Sequence, residues 1–201
     1  DLVPEGAAAV PEADPETARL KASADLLRAV DPAVAFYEDP PAEPLTVETP
    51  WTEVTVGPAD WAEALAAVDP GTPHNDARDV IWEALLDILV DQHGVDEEEF
   101  GEDDVRRALA SDDDLRDVVR RAWPILEAAD LVSDLWSVPA YLRLCAPWLT
   151  DKERRALGRP EGAPWTVEDL PLLDAMRARL GDPRASARRR RRQEALAESR
   201  S

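Results

Sequence analysis

Between Thr72 and Leu126 the apolar positions fall into a helical rhythm. Ala77, Val80, Ile81, Ala84, Leu85, Ile88 and Leu89 recur at i, i+3, i+4 and i+7, with Asp79, Glu83, Asp87 and Asp91 opposite, the spacing that gives a helix one apolar face. Burying the large members of that stripe stabilises by roughly 1.5–3 kcal/mol each. Fixing each backbone residue costs about 1–2 kcal/mol, so the helix needs packing partners. Leu109, Leu115, Val118, Val119 and Leu126 are the nearest candidates, brought back by a turn around Gly94 and Gly101. The pattern predicts a helical hairpin with an acidic tip.

Elsewhere the pattern is more broken. Residues 1–13 carry little ordering pattern and read as a strand end or a loop. A helix is expected after Asp14 with Pro15 at its first position, carrying Leu20, Ala24, Leu27 and Val30 until Asp31-Pro32 breaks it. AVAFYED forms a second short element before Pro40-Pro41. LTVET and WTEVTV alternate apolar and polar residues around Thr49-Pro50-Trp51, a β-hairpin with Leu45, Val47, Val54 and Val56 on one face. A further helix spans roughly Ala59 to Val68. Beyond the central stretch, Leu131 to Trp136 and Pro139 to Cys145 read as short helices. Thr150 to Glu153 and Thr166 to Asp169 match the Ser/Thr-x-x-acid signature of a capped helix start. The second of these helices places Leu170, Leu173, Met176 and Leu180 on one face and ends at Gly181. Trp123, Trp136, Trp148 and Trp165 stand near helix ends, where large rings seal small cores.

The fold class that follows is mainly α, a multi-helix module with an acidic-tipped helical hairpin and one small β-hairpin. Three stretches are expected: residues 1–70 (N-terminal helices and the β-hairpin), 71–183 (the helical module) and 184–201 (an Arg-rich tail).

Composition sharpens this picture. Eighteen prolines in 201 residues, against a usual ~5%, agree with many short elements. No apolar run approaches the ~20 residues of a membrane span, and no signal-peptide pattern opens the chain, so a soluble, cytoplasmic protein without a membrane partner is expected. One cysteine, Cys145, and two histidines make neither an internal disulfide nor a standard zinc site.

Charge changes the picture most. The chain carries −20, and Arg184 to Ser201 holds seven Arg against two Glu, a local +5, which leaves −25 for the rest. Such a body repels nucleic acid within the ~8 Å screening length of physiological salt and is drawn to positive surfaces. Lys appears only at positions 21 and 152 against 21 Arg, as a GC-rich genome would give, and acidity as a solubility trait is the plainer reading of the charge.

No Gly-x-x-x-x-Gly-Lys-Ser/Thr phosphate loop is present, and no catalytic residues are assigned. Asp96 to Arg107 has the length of a calcium loop, but Phe100 stands where an oxygen ligand belongs and Arg107 replaces the closing Glu. No metal site is assigned. His74, at a helix start, is expected to fix the Pro73-His74-Asn75 turn, with Asn75 or Thr72 as cap; His93 suits the negative end of its helix. The candidate partner contacts are the tip acids Asp96, Glu97, Glu98, Glu99, Glu102, Asp103 and Asp104, with Asp112, Asp113 and Asp114 as a second cluster. Arg188, Arg189, Arg190, Arg191 and Arg192 are either nucleic-acid contacts or the exposed start of a helix.

GTPHNDAR (71–78), the apolar helix ending in Asp91-Gln92, DEEEFGEDD (96–104), Ala122-Trp123-Pro124, LTDKERRAL (149–157) and GAPWTVEDLPLLD (162–174) together resemble the HelD-like (UvrD/HelD) branch of superfamily-1 helicase-like ATPases, which associate with bacterial RNA polymerase. The likeness covers roughly residues 15–185. The phosphate loop, the Asp-Glu-Ala-Gln motif and the second motor lobe of that family are absent from this sequence, so the resemblance implies an insertion from the first motor lobe. It implies core RNA polymerase and the motor lobes of the same polypeptide as partners. ATP and magnesium would belong to that parent, not to this segment. It further implies entry of a polymerase channel, displacement of nucleic acid, release or recycling of the enzyme and, in some members, tolerance of rifamycin-type antibiotics. The alternative reading is a stand-alone acidic scaffold or DNA mimic.

Overall fold

A computed structural model describes residues 8–96 and 98–198, in the last helix without the side chains of 186, 190, 193, 194, 197 and 198. The protein is mainly α with one two-stranded antiparallel hairpin. Its contacts gather into two units, one made of Tyr37–Ile125 and the other of the flanking Asp1–Phe36 and Leu126–Ser201. That division falls at 36/37 and 125/126, whereas the sequence pattern suggested 70 and 183. Charge follows it closely. Tyr37–Ile125 holds 24 Asp and Glu against six Arg, a net −18, and the flanking unit holds only −2.

The acidic unit begins with β1 (Leu45–Glu48) and β2 (Glu53–Val56), in the register Leu45 opposite Val56 and Val47 opposite Val54. The alternation in sequence is the alternation observed: Val47, Val54 and Val56 are buried and Leu45 partly so. Helix α3 (Pro58–Ala66) follows, its start closed by Asp60, whose carboxylate accepts the Gly57 N–H at 2.7 Å. The long helix α4 (His74–His93) is the spine, and α5 (Glu102–Ala110) and α6 (Asp113–Ala122) return from it.

On α4 the covered face is rotated from the expected one. Ala77, Ile81, Leu85 and Leu89 are buried as predicted, but Val80 is 39% exposed while Leu86 and Val90 are buried. The reason is that α3, β2 and α5 all pack on α4. Its covered arc is therefore wider than the single stripe of a helix with one neighbour. Val105, Leu109, Leu115 and Val119 join that core, with Val118 at its margin. Leu126 is buried but belongs to the other unit, a correction to its expected pairing with α4. The expected side-chain cap is also absent: Pro73 is the cap residue, the Thr72 hydroxyl bonds the Asp69 carbonyl, and Asn75 is buried within the first turn.

In the flanking unit, α1 (Pro15–Lys21) starts where expected, Asp14 accepting the Thr17 N–H at 2.8 Å. It does not run on to Val30. The chain turns at Ala22-Ser23, continues as a 3-10 segment (Ala24–Ala29) and re-enters an α-helix, α2 (Val30–Ala35), which contains Asp31-Pro32. Pro32 is the third residue of α2, in the first turn, where the backbone N–H has no intrahelical acceptor to lose. The remaining elements are α7 (Ala128–Ser137), α8 (Pro139–Cys145), α9 (Asp151–Leu157), α10 (Leu170–Leu180) and α11 (Pro183–Glu198). Thr150 and Glu153 cap α9 reciprocally, at 3.2 and 2.7 Å. Thr166 opens a 3-10 turn (Val167–Asp169) that leads into α10.

A buried ionic network ties this unit together. Lys21, 3% exposed, reaches Glu12 at 3.0 Å, Asp169 at 2.8 Å and the Thr166 hydroxyl at 3.0 Å. Asp169 also accepts the Trp136 indole N–H, and Arg159 pairs with Glu12 at 3.1 Å. Beside it Val10 bridges the backbone on both sides of Thr166, the one strand-like contact in the N-terminal stretch among the described residues. Of the four tryptophans near helix ends, Trp136 is buried and Trp123, Trp148 and Trp165 are half-buried.

Candidate functional site

The tip follows from the C-terminal end of α4. Gly94 takes φ 71°, a conformation L-residues rarely adopt, and turns the chain out of the helix. The next residues close on themselves: the Asp96 carbonyl accepts the N–H groups of Glu99 and Phe100 at 2.8 and 2.7 Å, and its side chain accepts the Glu98 N–H. Phe100, the one large apolar residue among the acids, is half-buried. Its ring stacks on Trp51 of the β-hairpin turn with centroids 4.4 Å apart, and His93 meets both rings edge-on at 5.6 and 5.9 Å. His93 also contacts the Thr49 hydroxyl at 2.8 Å. The turn of the β-hairpin therefore braces the acidic loop, and each such aromatic pair contributes about 0.5–1.5 kcal/mol beyond area burial. That bracing opposes the mutual repulsion of the acids, which lie well within a screening length of one another.

The expected contact residues separate into two groups. Asp96, Asp104 and Asp112 have local work: Asp96 shapes the loop, Asp104 accepts the Gly101 N–H and pairs with Arg107, and Asp112 accepts the Leu115 N–H at 2.7 Å. Glu98, Glu99, Glu102, Asp103, Asp113 and Asp114 are exposed with outward side chains. Glu97 lies outside the described residues. Glu102, Asp103, Asp113 and Asp114 occupy first turns of α5 and α6, where a carboxylate gains about 0.3–1 kcal/mol from the helix dipole. A structural reason for acids at those four positions thus exists beside any binding role. Their oxygens nonetheless remain open to solvent.

The unit's own arginines do not neutralise the tip. Arg106 of α5 spans Glu83 and Asp87 of α4, clamping the two helices along their exposed faces. Among the described residues only Arg107 pairs with a tip acid, Asp104. Among the described residues no group of three or more His, Cys, Asp or Glu is placed to hold a metal ion. No described helix is long and apolar enough to cross a membrane.

His74 is buried in a different setting from the one expected. Its Nε2 donates to the Pro124 carbonyl at 2.7 Å and its Nδ1 meets Glu38 at 2.9 Å. Glu38 and Pro124 stand at opposite ends of the acidic unit, so this histidine fastens the two chain ends that bound it. The bracing rings and this fastening escaped the sequence pattern, although a lone Phe100 in an acidic run was a visible signal.

The five arginines of the tail lie on α11. Consecutive residues on a helix point about 100° apart, so five in a row encircle the axis and make no one-sided stripe. Arg188 pairs with Asp182 at 3.0 Å, Arg189, Arg191 and Arg192 are exposed, and the Arg190 side chain lies outside the described residues. No protein-family model and no curated protein matches the chain.

Proposed function

We propose that Tyr37–Ile125 is an acidic protein-binding module that seats its tip on a basic, phosphate-accepting surface, and that it serves a HelD-like ATPase by entering a nucleic-acid channel of bacterial RNA polymerase. The observation that carries the reading is the braced tip, with Glu98, Glu99, Glu102 and Asp103 directed outward from a unit of net −18. A channel that holds nucleic acid is lined with cations for phosphates, and a fixed array of carboxylates competes for the same cations. Bracing matters because a preordered loop loses less conformational entropy on binding. The polymerase as the particular partner rests on the resemblance of residues 71–78, 149–157 and 162–174 to that family. In that setting ATP turnover belongs to motor lobes outside this sequence, and this chain supplies contact and displacement.

Competition is the test. Core polymerase free of nucleic acid should retain the 201-residue chain, and a duplex DNA loaded beforehand should exclude it. Equal retention by empty and DNA-loaded enzyme, or no retention by either, overturns the proposal.

A further inference from the structure

Within the flanking unit, α7, α8 and α9 enclose a cleft of about 310 Å³. Its floor is apolar, formed by Leu135, Trp136 and Leu142 with Pro139 at the side. Its mouth carries Arg143, Arg154 and Arg155 against a single acid, Asp151. In a chain where acids outnumber bases 43 to 23, three guanidinium groups around one carboxylate reverse the local sign. Arg154 is already committed, donating to the Leu149 carbonyl and to Asp151. Arg143 and Arg155 are exposed, and their guanidinium groups donate no hydrogen bond to a described residue. Asp151 registers all three: the hydrogen bond from Arg154, then the charges of Arg154, Arg143 and Arg155, hold its carboxyl below the usual value.

The floor is prebuilt. Trp136 is held at two points, its indole N–H on Asp169 at 3.1 Å and its carbonyl accepting the Arg159 N–H at 2.7 Å, so the buried network around Lys21 fixes the ring that lines the cleft. Gly158, also in the lining, leaves the wall beside Trp136 without a side chain. A volume near 310 Å³ lies at the small end of ligand sites, roughly 300–1,000 Å³, which are mostly apolar with a few placed polar groups.

We propose that this cleft binds a small amphipathic monoanion, an acyl or aryl carboxylate whose apolar body rests on Trp136 and Leu142 and whose charged end meets Arg143 and Arg155. The apolar floor selects against small hydrophilic anions, and the arginine mouth selects against neutral molecules of the same shape. The site shares no residue with the acidic tip and does not depend on the function proposed for it.

Decanoate is the probe, titrated calorimetrically into the full chain beside decan-1-ol, which lacks the charge, and butyrate, which lacks the body. Decanoate should bind one to one and at least tenfold tighter than either. The doubly substituted Arg143→Gln, Arg155→Gln chain, altered only at exposed positions, should lose at least fivefold for decanoate and nothing for decan-1-ol. The Trp136 indole proton resonance should shift on titration. Equal affinity for decanoate and decan-1-ol, full affinity in the double variant, or an unmoved Trp136 signal overturns the proposal. So does an acidic, leucine-containing hexapeptide that binds tenfold tighter than decanoate, which would make the cleft a peptide-docking site.

Discussion

His74 and Trp123 hold each other twice: their rings stack at 4.8 Å, 13° from parallel, and the Trp123 indole N–H donates to the His74 carbonyl at 2.8 Å. The pair joins the first turn of α4 to the residue after α6. Beside it the Asp39 N–H bonds the Ala122 carbonyl at 3.1 Å. The ends of the acidic unit are thereby tied to each other.

Trp123→Phe keeps a ring for the stack but deletes the donor. It should cost about 1 kcal/mol, the net worth of one hydrogen bond. Trp123→Ala should cost about 3–5 kcal/mol. Urea unfolding of both variants checks the order; no loss in Trp123→Phe would show that the hydrogen bond contributes nothing, and equal losses that the stacked ring contributes nothing.

Bracing of the tip predicts a local effect. Phe100→Ala removes the ring stacked on Trp51 and should speed amide hydrogen exchange across residues 95–101 at least tenfold, with α5 and α6 little changed. Exchange that rises equally throughout Tyr37–Ile125 would mean that Phe100 supports the whole unit instead of the loop.

Local chemistry was the legible part of this sequence. Thr150 and Glu153 satisfy each other three residues apart, and the alternation of Val47, Val54 and Val56 matches the observed hairpin. What depended on several neighbours at once was misjudged. Val80 fits the apolar spacing, yet α4 has three packing partners and turns Leu86 and Val90 inward in its place. Pro32 looked like a breaker because its place in a first turn depends on where the preceding 3-10 segment ends. Lys21 finds Asp169, and Trp51 finds Phe100, across separations that no local pattern encodes. The tip acids were readable as a cluster, but their division into shaping and outward groups needed Asp96, Asp104 and Asp112 to be seen making their backbone bonds.

The Lys21 network makes the flanking unit sensitive to acid. Burial pushes the Glu12 carboxyl up, but the Lys21 hydrogen bond and charge, with Arg159, outweigh it and hold the group below its ordinary 4.5. A depressed folded-state value contributes stability that is present above about pH 4.5 and lost as pH falls through the folded value. Thermal stability should therefore fall below that pH, and Glu12→Gln should flatten the dependence. Lys21→Met leaves Asp169 buried without its cation and should cost about 3–5 kcal/mol at neutral pH.

Cys145 is fully buried, and burial raises its thiol to about 11 despite a hydrogen bond with Tyr141. It should resist thiol reagents at pH 8 in the folded chain and react at once in denaturant, since the thiolate is the nucleophile. A folded-state value above the ordinary 9.0 means that stability falls as pH rises from about 9 to about 11. Cys145→Ala should remove that part of the alkaline loss.

The outward carboxylates carry the account, and their contribution is read most directly by titrating core RNA polymerase with the wild-type chain and with the Glu98→Gln, Glu99→Gln, Glu102→Gln, Asp103→Asn variant across 50–300 mM NaCl. Wild-type affinity should fall steeply with salt. The variant should bind at least tenfold more weakly at the lowest salt, with a shallower salt slope and unchanged urea stability to within about 1 kcal/mol. Wild-type affinity and slope retained by the folded variant would contradict the claim that these acids take the place of phosphates.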